Sequence, residues 1–98
     1  MIYSKERTEA VKVLFAQILE LNEKLERNDS NKEIQFELDG GTFPMIVVHF
    51  WDWDSNHNPV ETFEVTLEDK RQRGRKHSLS SLVAKVNDWG ERFGDPKN

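Results

Sequence analysis

The sequence predicts an α+β fold with the order helix, three-stranded antiparallel meander, helix, in a single domain that spans residues 1–98. Near both ends of the chain, apolar residues recur at every third or fourth position, which is typical of amphipathic helices. Between these segments, apolar and polar residues alternate, which is typical of half-buried strands. Short polar stretches containing glycine, asparagine or aspartate separate the strands and favour turns.

The first helix is expected at about residues 4–28. Ser4 is a suitable N-cap, and the sequence RNDSN (27–31) favours a turn because short polar side chains bond to their own backbone. The apolar stripe consists of Val11, Leu14, Ile18, Leu21 and Leu25, widened by Phe15 and Leu19. The spacing also suits a coiled-coil dimer, but it covers only about two heptads, so packing on a sheet is the favoured interpretation.

Strands are expected at about residues 32–39, 44–53 and 60–67. The apolar residues of the first and third strands that share the core face are Ile34, Phe36, Leu38, Phe63, Val65 and Leu67. The middle strand contains MIVVHFWDW and is apolar on both faces. Alternation alone therefore does not assign its core side.

The turn after the first strand determines which side of the middle strand enters the core. The sequence DGG (39–41) is a hairpin signal, because glycine accepts the positive φ that such turns require. A three-residue turn at residues 40–42 gives the pairs Phe36 with Ile46 and Ile34 with Val48. The core side then holds Ile46, Val48 and Phe50. The opposite face holds Met45, Val47, His49, Trp51 and Trp53, flanked by Glu33, Gln35, Glu37, Thr62 and Glu64. A two-residue turn would exchange the two faces.

The placement of the helices decides whether Trp51 and Trp53 are buried. If each face carries one helix, or if the domain dimerises through the second face, the two tryptophans belong to a core, where large rings are usually found. If both helices cover one face, the other face exposes an aromatic stripe between acidic residues. Such a stripe is a plausible binding surface. The sequence leaves both interpretations open.

A basic segment and a second helix complete the chain. Residues 68–77 have no apolar member and are expected to form a loop, and a helix at about residues 78–93 follows, with Ser78 as its N-cap. The apolar stripe of this helix is Leu79, Leu82, Val83, Val86, Trp89 and Phe93. Gly94 and Pro96 are suited to end it.

Charge is unevenly distributed along the sequence, with a formal balance of −8 in residues 30–69 and +5 in residues 70–98. The basic loop residues that would contact a phosphate or an acidic partner are Lys70, Arg71, Arg73, Arg75 and Lys76. A solvated loop is the favoured interpretation, because most charge runs are solvated and the acidic middle segment would repel nucleic acid.

The stretch DWDSNHN (52–58) resembles the first half of an EF-hand calcium loop but departs from it at two essential positions. With Asp52 as the first ligand, the glycine position is His57 and the position of the bidentate glutamate is Phe63. Flanking strands also replace the required helices. A polar hairpin loop is therefore expected, and no metal or other cofactor is predicted.

Catalysis and membrane insertion are not expected. His49, His57 and His77 are the histidines available for acid–base chemistry, and no nucleophile or phosphate-binding motif accompanies them. The chain has no cysteine, its N-terminal sequence is charged within five residues, and it contains no apolar run approaching the ~20 residues that cross a bilayer. We therefore expect a soluble cytoplasmic protein without enzymatic activity.

The predicted helix–meander–helix order and the acidic middle segment are similar to those of some phage-encoded inhibitors, including anti-CRISPR proteins that occupy basic nucleic-acid-binding grooves. The resemblance concerns architecture and charge and implies a basic protein as partner. The candidate residues for such docking are Glu33, Glu37, His49, Trp51, Asp52, Trp53, Asp54, Glu61 and Glu64. The competing hypotheses are an accessory protein that binds nucleic acid through residues 70–77 and a self-associating structural module, possible as a homodimer.

Overall fold

The computed structural model describes residues 5–28, 30–39, 45–54, 59–66 and 77–94, and it confirms the predicted α+β architecture. The elements are helix α1 (Lys5–Arg27), strands β1 (Lys32–Asp39), β2 (Met45–Asp52) and β3 (Glu61–Thr66), and helix α2 (Leu79–Phe93). Each boundary lies within one residue of the predicted one. Ser4, Leu67, Pro96 and the basic segment up to residue 76 lie outside the described residues.

The three strands form one antiparallel sheet in the order β1-β2-β3, as predicted for a meander. The predicted pairing of β1 with β2 is wrong by two residues, because Phe36 pairs with Val48 instead of Ile46. The cause is the connection, which spans residues 40–44 and is two residues longer than the predicted turn. A shift of two residues preserves the alternation of side chains, so the predicted faces of β2 are correct.

Both helices pack on the same face of the sheet. Their buried side chains form one cluster with the inward-facing residues of all three strands, and the cluster consists of Val11, Leu14, Ile18, Leu21, Leu25, Ile34, Ile46, Val48, Phe50, Phe63, Val65, Leu82, Val86 and Trp89. Phe50 lies at its centre, with its ring centroid 5.6 Å from that of Phe63 and 5.3 Å from that of Trp89. The arrangement with one helix on each face is therefore not the one this sequence adopts.

The ends of the helices are fixed by polar contacts that the sequence suggested in part. Ser78 is the N-cap of α2, and its side chain and that of Ser81 form a reciprocal capping box. At the other end, the Gly94 N–H donates to the Gly90 carbonyl at 2.8 Å. The Asn28 Nδ2 donates to the Gly94 carbonyl at 2.9 Å, which ties the end of α1 to the end of α2.

Two residues predicted to lie in the core are exposed. Leu38 is 56% exposed because it lies near the end of β1, which forms one edge of the sheet that the structure describes. Leu19 is 59% exposed. At 3.6 residues per turn, Leu19 lies about 120° from the centre of the buried stripe of α1, whereas Phe15 is close enough to stack on Phe36 with ring centroids 4.2 Å apart.

Candidate protein-binding face

The second face of the sheet carries neither helix and is called the open face. Its central row comes from β2 and the residue after it, and its two sides come from β1 and β3. The row is Met45, Val47, His49, Trp51 and Trp53, and the flanking residues are Glu33, Gln35, Glu37, Thr62 and Glu64. The four strand residues of the row are partly buried by their neighbours, and Trp53 is 49% exposed.

Trp51 and Trp53 form a stacked pair on the open face. Their ring centroids are 4.5 Å apart and their planes differ by 8°. The Trp51 indole N–H donates to the Gln35 Oε1 at 2.9 Å, and the Trp53 indole N–H donates to the Glu33 Oε2 at 3.0 Å. Each acceptor belongs to the residue of β1 that lies diagonally opposite the tryptophan. A large side chain can span the distance between diagonal neighbours. Contacts within the chain therefore fix the orientation of the two rings.

His49 continues the row beside the tryptophans. Its Nδ1 lies 2.9 Å from the Thr62 Oγ1, and its Nε2 lies 3.8 Å from the Glu37 Oε1. The imidazole therefore bridges β2 to both neighbouring strands. A depression of about 290 Å³ lies beside it, lined by Ile34, Gln35, Phe36, Glu37 and His49.

The open face is acidic. Glu33, Glu37 and Glu64 project from its two sides, and the described residues of the face include no lysine or arginine. The side chain of Glu37 is 68% exposed. Carboxylates at the rim of an aromatic row give the face a negative potential toward an approaching partner.

Three predicted site residues lie elsewhere. Asp52 and Glu61 are on the helix side of the sheet, where Asp52 pairs with Lys32 at 3.4 Å and Glu61 pairs with Lys85 at 3.6 Å. Asp54 accepts a hydrogen bond from the Asn31 Nδ2 at 2.7 Å at the end of the hairpin. The structure thus brings together Glu33, Glu37, His49, Trp51, Trp53 and Glu64 and separates the other three from them.

Gln35 lies on the open face, as the alternation of β1 predicts, but the sequence gave no reason to select it as a site residue. It is an exposed polar residue on an alternating strand, and its contact with Trp51 depends on the register of β1 with β2. The correct register would have identified it, because the diagonal neighbours follow directly from the pairing. The basic loop residues Lys70, Arg71, Arg73, Arg75 and Lys76 lie outside the described residues.

In the part of the chain that the structure describes, no group of three or more histidine, aspartate or glutamate side chains is arranged to hold a metal ion. Asp52 and Asp54 instead form a hydrogen bond with each other, in which the Asp54 backbone N–H donates to the Asp52 Oδ1 at 3.1 Å. No helix among the described residues combines the length and apolar character that crossing a membrane requires.

No protein-family model matches the chain, and comparisons with curated proteins and with solved structures found no similar protein.

Proposed function

We propose that this chain is a small non-enzymatic protein-binding module whose open face docks on a basic surface of a protein partner. The observation that carries the proposal is the Trp51–Trp53 stack, held by Gln35 and Glu33 on a face that neither α1 nor α2 covers. Large aromatic patches exposed on a small protein usually mark interaction sites. Tryptophan is also among the residues that contribute most to binding energy at interfaces.

The pre-set geometry of the tryptophans supports binding in energetic terms. Ordering a flexible side chain at an interface costs about 0.5–1.5 kcal/mol, and rings that are already stacked and hydrogen-bonded avoid much of this cost. The exposed side of an indole also attracts lysine and arginine through its π electrons. The aromatic row and the surrounding carboxylates therefore favour the same kind of partner.

The acidic rim supplies attraction at longer range. Glu33 and Glu37 on β1 and Glu64 on β3 surround the row on both sides. Complementary charge raises the association rate and disfavours acidic competitors. The depression beside His49 and Glu37, at about 290 Å³, is large enough to receive a basic side chain. In its most specific form, the proposal is that the protein is a cytoplasmic inhibitor of phage type that occupies a basic nucleic-acid-binding groove.

Two peptides of opposite charge test the proposal. The probe is an eight-residue peptide in which arginine and valine alternate, with capped ends, and its counterpart has glutamate in place of arginine. Isothermal titration calorimetry should show binding of the arginine peptide, weakened about tenfold or more by Glu37→Lys, since opposed like charges cost several kcal/mol. Glu20→Lys, the same charge change on the exposed side of α1, is the matched control and should alter affinity by less than about twofold.

Several results would overturn the proposal. These are equal affinity for both peptides, equal effects of Glu37→Lys and Glu20→Lys, or no effect of Trp51→Ala. Salt-dependent binding to a DNA duplex that is abolished by neutralising residues 70–76 would instead support the nucleic-acid hypothesis. A stable dimer in light scattering that is lost on Trp51→Ala would indicate that the open face serves self-association.

A further inference from the structure

The outer edge of β1 has backbone groups that point away from the sheet. β1 is an edge strand, and the N–H and C=O of alternate residues point toward β2 or outward. The Ile34 N–H donates to the Asn22 Oδ1 at 3.0 Å, and the Ile34 C=O accepts from the Asn22 Nδ2 at 2.8 Å. Asn22 belongs to α1, so Ile34 and every second residue from it face outward.

Within the described part of the chain, contacts satisfy one half of the backbone groups at this edge and leave the other half unpaired. Lys32 belongs to the outward set, and its N–H donates to the Ser30 Oγ at 3.2 Å. Phe36 and Leu38 also belong to it, and among the described residues their outward backbone groups have no hydrogen-bond partner. An open strand edge of this kind is a template for pairing with another strand.

The side chains around the open half are apolar on the helix side and acidic on the other. Leu38 is 56% exposed on the helix side, and Leu19 is 59% exposed on α1 between the residues that contact Ile34 and Phe36. On the open face, Glu37 lies beside the same edge with its side chain 68% exposed and its Oε1 3.8 Å from the His49 Nε2. A strand added here would meet leucines with one set of side chains and carboxylates with the other.

We infer that the edge of β1 at Phe36 and Leu38 pairs with an extended segment of the partner in which basic and apolar residues alternate. The inference rests on the proposed function, because the basic residues of that segment would extend the contacts of the open face. A second copy of this chain is a poorer occupant. Antiparallel pairing of two β1 strands through this edge places Glu33 and Glu37 of both copies on one face, where adjacent like charges destabilise a sheet, and parallel pairing turns the open face of one copy to the helix side of the other.

A proline substitution tests the inference, because proline removes the outward N–H of an edge strand without breaking the ladder on its inner side. Leu38→Pro should weaken binding of the alternating arginine–valine peptide by about tenfold, whereas Leu38→Thr, which loses the same leucine contact but keeps the N–H, should weaken it less, by about threefold. Circular dichroism spectra of both variants should match that of the wild type, which would show that both are folded. In the wild type, the peptide should slow hydrogen exchange at the Phe36 and Leu38 amides, a measurement that needs no variant.

Equal affinities of the Leu38→Pro and Leu38→Thr variants, or unchanged exchange at both amides, would overturn the edge inference. If Glu37→Lys and Trp51→Ala still weakened binding in that case, the proposed function would stand without the inference. If the wild type did not bind the peptide at all, both would fail. A wild-type dimer that Leu38→Pro dissociates would show that a second copy is the occupant and would also overturn the inference.

Discussion

At the scale of single residues, the open face depends on hydrogen bonds that hold two indoles flat against each other. Glu33 has two roles, because its carboxylate accepts from the Trp53 N–H and also contributes charge to the face. The hydrogen bond is exposed, so its net contribution to folding stability lies at the low end of the usual ~0.5–1.5 kcal/mol. Its larger effect is on the orientation of the ring.

The two roles of Glu33 can be separated by a pair of substitutions. Glu33→Gln keeps an acceptor oxygen and removes the charge, whereas Glu33→Ala removes both. Both should weaken binding of the arginine–valine peptide by several fold, about 1 kcal/mol for a charge at the rim of an interface. The circular dichroism signal from coupled, stacked indoles should persist in Glu33→Gln and diminish in Glu33→Ala. The same signal in both variants would show that the hydrogen bond does not orient Trp53.

At the scale of the elements, the fold rests on the contact of α1 with α2 and of both helices with the sheet. The apolar spacing predicts both helices, because the stripe is long and strictly periodic. It does not predict that Leu19 and Leu38 are exposed, since that depends on which side of α1 faces the edge of β1. The register of β1 with β2 was also unpredictable from DGG alone, because the connection at residues 40–44 is longer than the shortest turn.

Gly90 within α2 and Gly94 at its C-cap give opposite predictions for the contact between the helices. A Cβ at Gly90 would lie 3.8 Å from both Leu21 methyl carbons, an ordinary contact, and alanine is favoured over glycine in a helix by about 1 kcal/mol. Gly90→Ala should therefore raise the free energy of unfolding by about 0.5–1 kcal/mol. A Cβ at Gly94 would lie 2.5 Å from the Gly90 carbonyl oxygen and 3.0 Å from the Leu21 Cδ1.

Gly94→Ala should accordingly lower the free energy of unfolding by about 1–3 kcal/mol, the usual cost of overpacking. Urea denaturation followed by circular dichroism measures both variants under the same conditions. Changes of the same sign in the two variants would contradict the packing described between Leu21 and the end of α2. Neither glycine lies on the open face, so peptide affinity should be unchanged in both.

At the scale of the whole molecule, the two faces of the sheet differ in what they contact. One face buries the core under both helices, and Lys32 and Lys85 on that side pair with Asp52 and Glu61. The other face carries the tryptophan stack and the carboxylates Glu33, Glu37 and Glu64. Sequence alternation predicts this division for β1 and β3. For β2 the prediction also needed the turn, and the predicted turn gave the correct faces because its error of two residues preserves the alternation of side chains.

The part of the candidate site that sequence could not predict is the part that depends on three-dimensional pairing. Asp52 and Glu61 are acidic and close to the tryptophans in sequence, yet both face the helices. Gln35 looks like an ordinary solvent-facing residue until its pairing with Trp51 is known. Whether both helices share a face is likewise a tertiary property, which neither the apolar stripes nor the loop lengths determine.

The most direct test of the central claim, that the open face binds a basic partner, is a nuclear magnetic resonance titration of the three indole N–H signals with the arginine–valine peptide. Trp51 and Trp53 lie on the open face, whereas Trp89 is 3% exposed in the core and serves as an internal control. The signals of Trp51 and Trp53 should shift progressively and saturate, and that of Trp89 should remain in place. Binding that leaves the Trp51 and Trp53 signals unchanged, or that shifts all three equally, would contradict the claim.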